Sequence, residues 1–252
     1  MKSLAEETLA KVPEVTLGFW LIKIAATTLG ETAGDAVSMS MKLGYLVGTV
    51  IFAAIFFVAI GVQIKSKRFR PFVYWSTIIA TTTVGTTLAD FADRSLGIGY
   101  AGGSSLLMTL LLGSLFFWYR MLGSVSINTV ISSKAEIFYW LTIMFSQTLG
   151  TALGDWTADT MGLGYTGAAA MFGMLLVLIV LAYYWSNISH TMLFWAAFIL
   201  TRPLGAVVGD FLDKPLNQGG LALSRYAASA ALLVFMFAAI ALFRQQAARQ
   251  TH

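Results

Sequence analysis

A glycine-to-aspartate motif that occurs four times constrains this chain more than any other feature. Each copy ends an apolar segment with a glycine, a small residue four positions later and then an aspartate. A tryptophan, preceded by a second aromatic residue, stands ten residues before the first glycine of every copy. The copies are Gly30/Gly34/Asp35, Gly85/Ala89/Asp90, Gly150/Gly154/Asp155 and Gly205/Gly209/Asp210. The chain is therefore expected to be built from four internal repeats.

The apolar segments that carry the motif predict membrane-spanning helices. The chain is 58% hydrophobic and only 11% charged, whereas a soluble domain has about 25% charged residues. A helix needs about 20 mainly apolar residues to cross a bilayer. The segments of this kind are 17–38, 43–64, 72–93, 100–120, 137–159, 164–185, 192–213 and 220–243. We predict an all-α polytopic membrane protein with eight transmembrane helices in a single transmembrane domain, 1–252.

The eight segments pair into four hairpins, each a motif helix followed by a purely apolar helix. The corresponding two-helix repeats are 17–64, 72–120, 137–185 and 192–243. Successive motifs start 55, 65 and 55 residues apart, which favours two four-helix halves. Because each repeat has two spans, all four copies point the same way and the repeats are parallel rather than inverted.

The distribution of basic residues predicts the orientation. Those on the side of the termini are Lys65, Lys67, Arg68, Arg70, Arg120, Lys134, Arg244 and Arg249. Those on the opposite side are Lys42, Arg94, Lys214 and Arg225. The positive-inside rule then places both termini in the cytoplasm, and the motif tryptophans are expected to anchor the helices at that interface.

The four Leu/Val-Gly-xxx-Gly/Ala-Asp copies, together with the Leu/Ile-Gly-Tyr sequences that follow copies one to three, also carry a resemblance. The chain resembles a family of uncharacterised bacterial multi-pass "membrane-anchored" proteins, and the resemblance covers nearly the whole chain. It implies the length of the fold and a bacterial inner-membrane location. It implies no activity.

Acidic residues inside the predicted spans are the main indication of function. An ionised carboxylate at the centre of a bilayer costs on the order of 2.5–3.5 kcal/mol, so such residues are functional candidates. Carboxylates are ligands for hard cations such as Mg²⁺, Ca²⁺ and Mn²⁺. The chain has no cysteine and two histidines, which disfavours thiolate or histidine metal sites. The predicted metal ligands are Glu31, Asp35, Asp90, Asp155, Asp159 and Asp210.

Three further charged residues are predicted to act as counter-ions or in gating: Arg202, Asp93 and Asp213. Arg202 either neutralises a buried carboxylate or is purely structural. Asp93 and Asp213 have the alternative of pairing with the bases that directly follow them. Lys23 is expected to extend back to the near interface. The motif glycines are expected to let helices approach closely.

These observations favour a cation transporter, in particular an exporter of a hard divalent metal similar to manganese, with proton coupling left open. The alternatives are a structural or regulatory membrane subunit, whose aspartates only stabilise the bundle, and a passive cation channel. No enzyme activity and no cofactor are predicted, the metal being the substrate. The expected partners are the metal or protons and the lipid bilayer. A homo-oligomer is left open, and nucleic acid is not expected.

Overall fold

The computed structural model describes residues 10–66, 68–243 and 245–248. Lys67, Arg244 and Arg249, which entered the orientation argument, lie outside these ranges. Within them the chain is helical, and the only β-type pairing there is an isolated bridge between Pro13 and Ala247. The α-helices are α1 (Leu17–Asp35), α2 (Gly44–Lys65), α3 (Pro71–Asp90), α4 (Tyr100–Leu122), α5 (Ser133–Asp155), α6 (Gly164–Trp185), α7 (His190–Asp213) and α8 (Arg225–Leu242).

The four motif helices form a closed ring. In this ring α1 packs against α3, α3 against α5, α5 against α7, and α7 against α1. The other four helices, called here the peripheral helices, lie outside: α2 packs on α3, α4 on α5, α6 on α7, and α8 on α1. The predicted pairing of each motif helix with the helix that follows it is therefore wrong. Each motif helix already packs against two other motif helices. The apolar helix that follows it in the chain packs on the next motif helix of the ring.

Glycines allow the ring helices to approach closely, as predicted. The first glycine of each copy faces the residue that stands three positions before the first glycine of the next copy. A Cβ at Gly30 would lie 2.6 Å from Thr82 Oγ1, and one at Gly150 would lie 2.5 Å from Arg202 Cβ. The ring closes in the same way, because a Cβ at Gly205 would lie 2.5 Å from Thr27 Cβ. Any larger residue would push neighbouring helices apart.

The tryptophan end of the ring, where the four motif tryptophans lie, is an aromatic core. Trp75, Trp140 and Trp195 are buried, so the prediction that they are interface anchors is wrong for these three. The ring brings consecutive motif helices together at this level, and the aromatic side chains fill the space between them. The hydroxyl groups of Tyr74 and Tyr139 share a hydrogen bond of 2.6 Å inside this core.

The segments before α1 and after α8 cover the tryptophan end. The backbone N–H of Ala10 donates to the carbonyl of Ala248 at 3.1 Å, and that of Ala248 donates to the carbonyl of Val12 at 2.9 Å. Lys11 forms a salt bridge of 2.7 Å with Glu136 at the start of α5. These contacts join both ends of the described chain to the ring.

Five helices, α2, α4, α6, α7 and α8, are long and apolar enough to cross a membrane. The sequence predicted eight such spans. The remaining three, α1, α3 and α5, bury threonines, glycines and acidic residues within the ring, which lowers their mean hydropathy. Helix α8 also begins at Arg225 rather than near residue 220, because a short 3₁₀ turn, Leu216–Gln218, and Gly219 with φ of +84° precede it.

Candidate cation-binding site

Three of the four motif aspartates stand where an α-helix changes to a π-helix. Asp35, Asp90 and Asp155 are the last residues of α1, α3 and α5. The π-helical segments that follow are Ala36–Ser40, Phe91–Ser95 and Trp156–Thr160. Helix α7 instead continues past Asp210 to Asp213. Single π-helical turns often mark functional sites because they change the direction in which side chains project.

The ring gathers its carboxylates at this end, the aspartate end. One oxygen from each of Glu31, Asp35 and Asp90 lies within 4.8 Å of the others. Asp35, Asp210 and Asp213 form a second group by the same measure, and every member of both groups is buried. The structure thus brings together four of the six predicted ligands directly, and it adds Asp213 to them.

Two basic residues bridge the four motif aspartates in pairs. Arg94 Nε lies 2.8 Å from Asp90 Oδ1, and its Nη2 donates to Asp155 Oδ2 at 3.0 Å. Lys214 Nζ lies 2.6 Å from Asp35 Oδ2 and 2.9 Å from Asp210 Oδ1. Copies two and four therefore each supply an acid and a base, and each base reaches the aspartate of the next copy around the ring.

The sequence prediction missed these bridges. As the alternative to a counter-ion or gating role, it considered only pairs of adjacent residues, Asp93 with Arg94 and Asp213 with Lys214. Adjacent residues do not face each other on a helix, whereas residues four apart do. The four-residue spacing from Asp90 to Arg94, repeated from Asp210 to Lys214, was the signal that could have identified both pairs.

A third base, Arg225 at the start of α8, completes the group. Its Nε donates to Asp213 Oδ2 at 3.0 Å, and its Nη2 lies 3.7 Å from Asp35 Oδ2. We call the five carboxylates and three bases at this end the carboxylate layer. Its members are Asp35, Asp90, Asp155, Asp210, Asp213, Arg94, Lys214 and Arg225. With all carboxylates ionised, five negative and three positive charges leave the layer with two negative charges.

Lys214 is held in its charged form within this layer. Burial alone would lower its pKa, but the carboxylates of Asp210, Asp35 and Asp213 outweigh burial and raise the pKa well above its usual value. The Lys214 ammonium is therefore a fixed positive charge at neutral pH.

Two of the predicted residues lie apart from the layer. Asp159 is exposed and forms no salt bridge with the part of the chain that the structure describes. The prediction assumed that it shares a face with Asp155, as residues four apart do in an α-helix. Asp159 occupies the position that Arg94 occupies in copy two, but its side chain is much shorter and does not join the layer. Asp93 is partly buried and lies next to Gly103 of α4, where a Cβ would be 2.5 Å from its Oδ1.

Arg202 crosses the middle of the ring and is buried completely. Its Nη2 donates to Glu31 Oε2 at 3.0 Å and to Thr86 Oγ1 at 2.6 Å, and it also donates to Thr151 Oγ1. The guanidinium of α7 thus contacts all three other ring helices. We call this group the arginine layer. Arg202 is the counter-ion of Glu31, and the pair lies between the carboxylate layer and the tryptophan end.

Lys23 does not extend to an interface, so that prediction is wrong. Its side chain is fully buried, and its Nζ lies 4.1 Å from the centroid of the Phe198 ring. A cation over an aromatic face gains attraction from the ring quadrupole. Phe198 therefore offers Lys23 a contact inside the ring.

Together these features define an all-helical protein in which a ring of four repeated helices encloses charged side chains. A family model described as Repeat of Unknown Function (DUF347) matches residues 18–69, 73–123, 138–189 and 193–247. The chain belongs to this repeat family, which confirms the prediction of a family with four repeats and no assigned function. No curated protein and no solved structure matches the chain.

Proposed function

We propose that the protein is a multi-pass protein of the bacterial inner membrane, with all eight helices in the bilayer and both termini in the cytoplasm. The peripheral helices support this proposal, since they expose large apolar side chains such as Phe57, Leu112 and Leu178. The polar residues of α1, α3 and α5 face the inside of the ring, so helices of lower hydropathy are shielded from lipid. In this orientation the aspartate end faces outward.

Within the membrane, we propose that the protein is a carrier that exports a hard divalent cation such as Mn²⁺. The observation that carries this proposal is the charge of the carboxylate layer, in which five buried carboxylates and three bases leave two negative charges. One divalent cation would balance these charges. The oxygens of Glu31, Asp35 and Asp90, which lie within 4.8 Å of one another, supply ligands of the type that hard cations prefer.

The two bridging bases give the carrier an exchange step. A cation that binds Asp35 and Asp90 competes with Lys214 and Arg94 for the same oxygens. Protons bind carboxylate oxygens too, so they are a second competitor for the same site. Coupling of the cation to protons would follow from this competition. Release toward the other side requires the Glu31–Arg202 pair to separate.

A structural role is the second candidate, and one observation favours it. Each of the four motif aspartates already has a basic side chain within 3.0 Å, so the layer could serve only to hold the ring together. A passive channel is less well supported, because Arg202 crosses the middle of the ring and contacts Glu31, Thr86 and Thr151.

Flux in proteoliposomes distinguishes these functions. We expect wild-type protein to move Mn²⁺ with saturation and with proton movement, and an Asp35→Asn/Asp155→Asn variant to lose this flux. The control is Asp159→Asn, which removes an exposed carboxylate outside the layer. Normal flux in the double variant would refute the carrier. The structural role would be supported if wild-type protein shows no flux and the double variant unfolds at a lower temperature than wild type.

A further inference from the structure

The half of the ring from Arg202 to the tryptophan end contains buried polar side chains that have no part in the proposed cation site. Thr82, Gln147 and Arg202 occupy the same position in three copies, three residues before the first glycine. Lys23 lies one helical turn nearer to the tryptophan end, beside Phe198. All four of these side chains are fully buried. We call this group the inner polar group.

Most of the polar atoms in the inner polar group are unpaired donors. Lys23 Nζ, Thr82 Oγ1, Gln147 Nε2 and both Nε and Nη1 of Arg202 have no hydrogen-bond partner among the described residues. Over the same residues, the unpaired acceptors in the group are Gln147 Oε1 and the Thr82 hydroxyl, which can also donate. Ammonium and guanidinium groups donate but cannot accept. The unpaired N–H groups of Lys23, Arg202 and Gln147 outnumber these acceptors, and leaving buried donors unpaired is costly.

The charged side chains, like the unpaired donors, indicate that a negatively charged partner is missing from this group. Two cationic side chains, Lys23 and Arg202, lie inside this half of the ring, and one carboxylate, Glu31, pairs with Arg202 at 3.0 Å. Lys23 forms no salt bridge within the described chain; its ammonium faces the Phe198 ring instead. When it is protonated, Lys23 is thus a positive charge without a negative partner, and a buried charge is usually paired.

We propose that the inner polar group binds one small monovalent anion of the size of chloride. The anion would accept hydrogen bonds from Lys23 and from the unpaired nitrogens of Arg202, with the amide of Gln147 and the hydroxyl of Thr82 as neutral donors. It would balance the charge of a protonated Lys23, because Glu31 already pairs with Arg202. This site goes beyond the proposed cation transport, because it uses none of the residues of the carboxylate layer.

Equilibrium binding of radioactive chloride to the purified full-length protein in detergent tests the proposal, in sodium buffer with EDTA so that no divalent cation takes part. We expect saturable binding of about one chloride per chain. Lys23→Met should weaken this binding at least tenfold and Gln147→Leu several-fold. Lys65→Met, which removes an exposed lysine at the end of α2, is the matched control and should bind as wild type does. Asp35→Asn should also retain chloride binding, which separates this site from the cation site.

Thermal unfolding of the wild-type protein provides a second readout that does not depend on the folding of any variant. Replacing chloride by gluconate, an anion too large for a buried site, should lower the unfolding temperature, since a ligand of the native state stabilises it. Wild-type protein that binds no saturable chloride, and unfolds at the same temperature in both salts, would overturn the proposal. Equal chloride binding by wild type and folded Lys23→Met would overturn it as well.

Discussion

The two halves of the ring differ in how their charged side chains are paired. At the aspartate end, all four copies of the motif retain an aspartate, and basic residues bridge these aspartates from one copy to the next. Nearer to the tryptophan end, the position three residues before the first glycine differs between copies: it is Thr27, Thr82, Gln147 and Arg202. The same four helices thus surround two different groups. The carboxylate layer contains an aspartate from every copy, whereas the inner polar group contains a different residue from each copy. The residues that all four copies share form the ring of helices, and the residues that differ between copies determine where charged side chains lie along it.

Removing Arg202 should have the largest effect, because this residue separates the two halves. Arg202→Met leaves Glu31 buried without its cation, and breaking a buried pair in this way costs about 3–5 kcal/mol. Unfolding in detergent should show a loss of this size. An Arg202→Met/Glu31→Gln variant should recover a large part of it, because the uncompensated carboxylate is then gone. Equal stability of the single and double variants would show that the unpaired Glu31 carboxylate is not the cause of the stability loss.

The close contact between ring helices is common to both halves and can be tested apart from charge. Gly205→Ala places a Cβ 2.5 Å from Thr27 Cβ, and such overpacking costs about 1–3 kcal/mol. The control is Gly173→Ala in α6, where a Cβ meets nothing within 4 Å. Because alanine is the better helix former, this control should be stabilised by about 0.5–1 kcal/mol. Destabilisation of both variants by similar amounts would argue against glycine packing as the basis of the ring.

The bridging bases of the carboxylate layer should compete with a bound cation. Lys214→Met removes the charge nearest to Asp35 and leaves the layer more negative. We expect the affinity for Mn²⁺, measured by titration, to rise about tenfold, which corresponds to about 1.4 kcal/mol. Lys65→Met is the control for a general change in charge. Unchanged affinity in Lys214→Met would mean that Lys214 and the metal do not share the same oxygens.

A smaller effect concerns pH. The carboxylates of Asp35, Asp210 and Asp213 raise the pKa of Lys214 in the folded protein, whereas in the unfolded chain it is about 10.4. The stabilisation from the Lys214 ammonium is therefore fully present below about pH 10.4. It is lost only as the pH rises through the higher pKa of the folded state. The stability difference between wild type and Lys214→Met should be the same at pH 8.5 and pH 9.5, and a difference that shrinks by pH 9.5 would contradict this assignment.

The sequence predicted the repeated helices and the close glycine contacts because both depend on local spacing. It did not predict which helices pack together, since the order around the ring depends on the connections between them. The prediction failed at Asp159 because sequence spacing does not show how far a side chain reaches: the longer Arg94 side chain, at the equivalent position of copy two, enters the layer, and Asp159 does not. The burial of Lys23 could not be predicted, since only the closed ring places Phe198 beside it.

The carboxylate layer should bind one divalent cation, and the inner polar group should bind none. Isothermal titration of the purified protein with Mn²⁺ tests this most directly. We expect one site per chain in wild type, no measurable binding in Asp35→Asn/Asp210→Asn, and one site of unchanged affinity in Lys23→Met. Absence of Mn²⁺ binding in wild type, or binding that survives in Asp35→Asn/Asp210→Asn, would contradict the account.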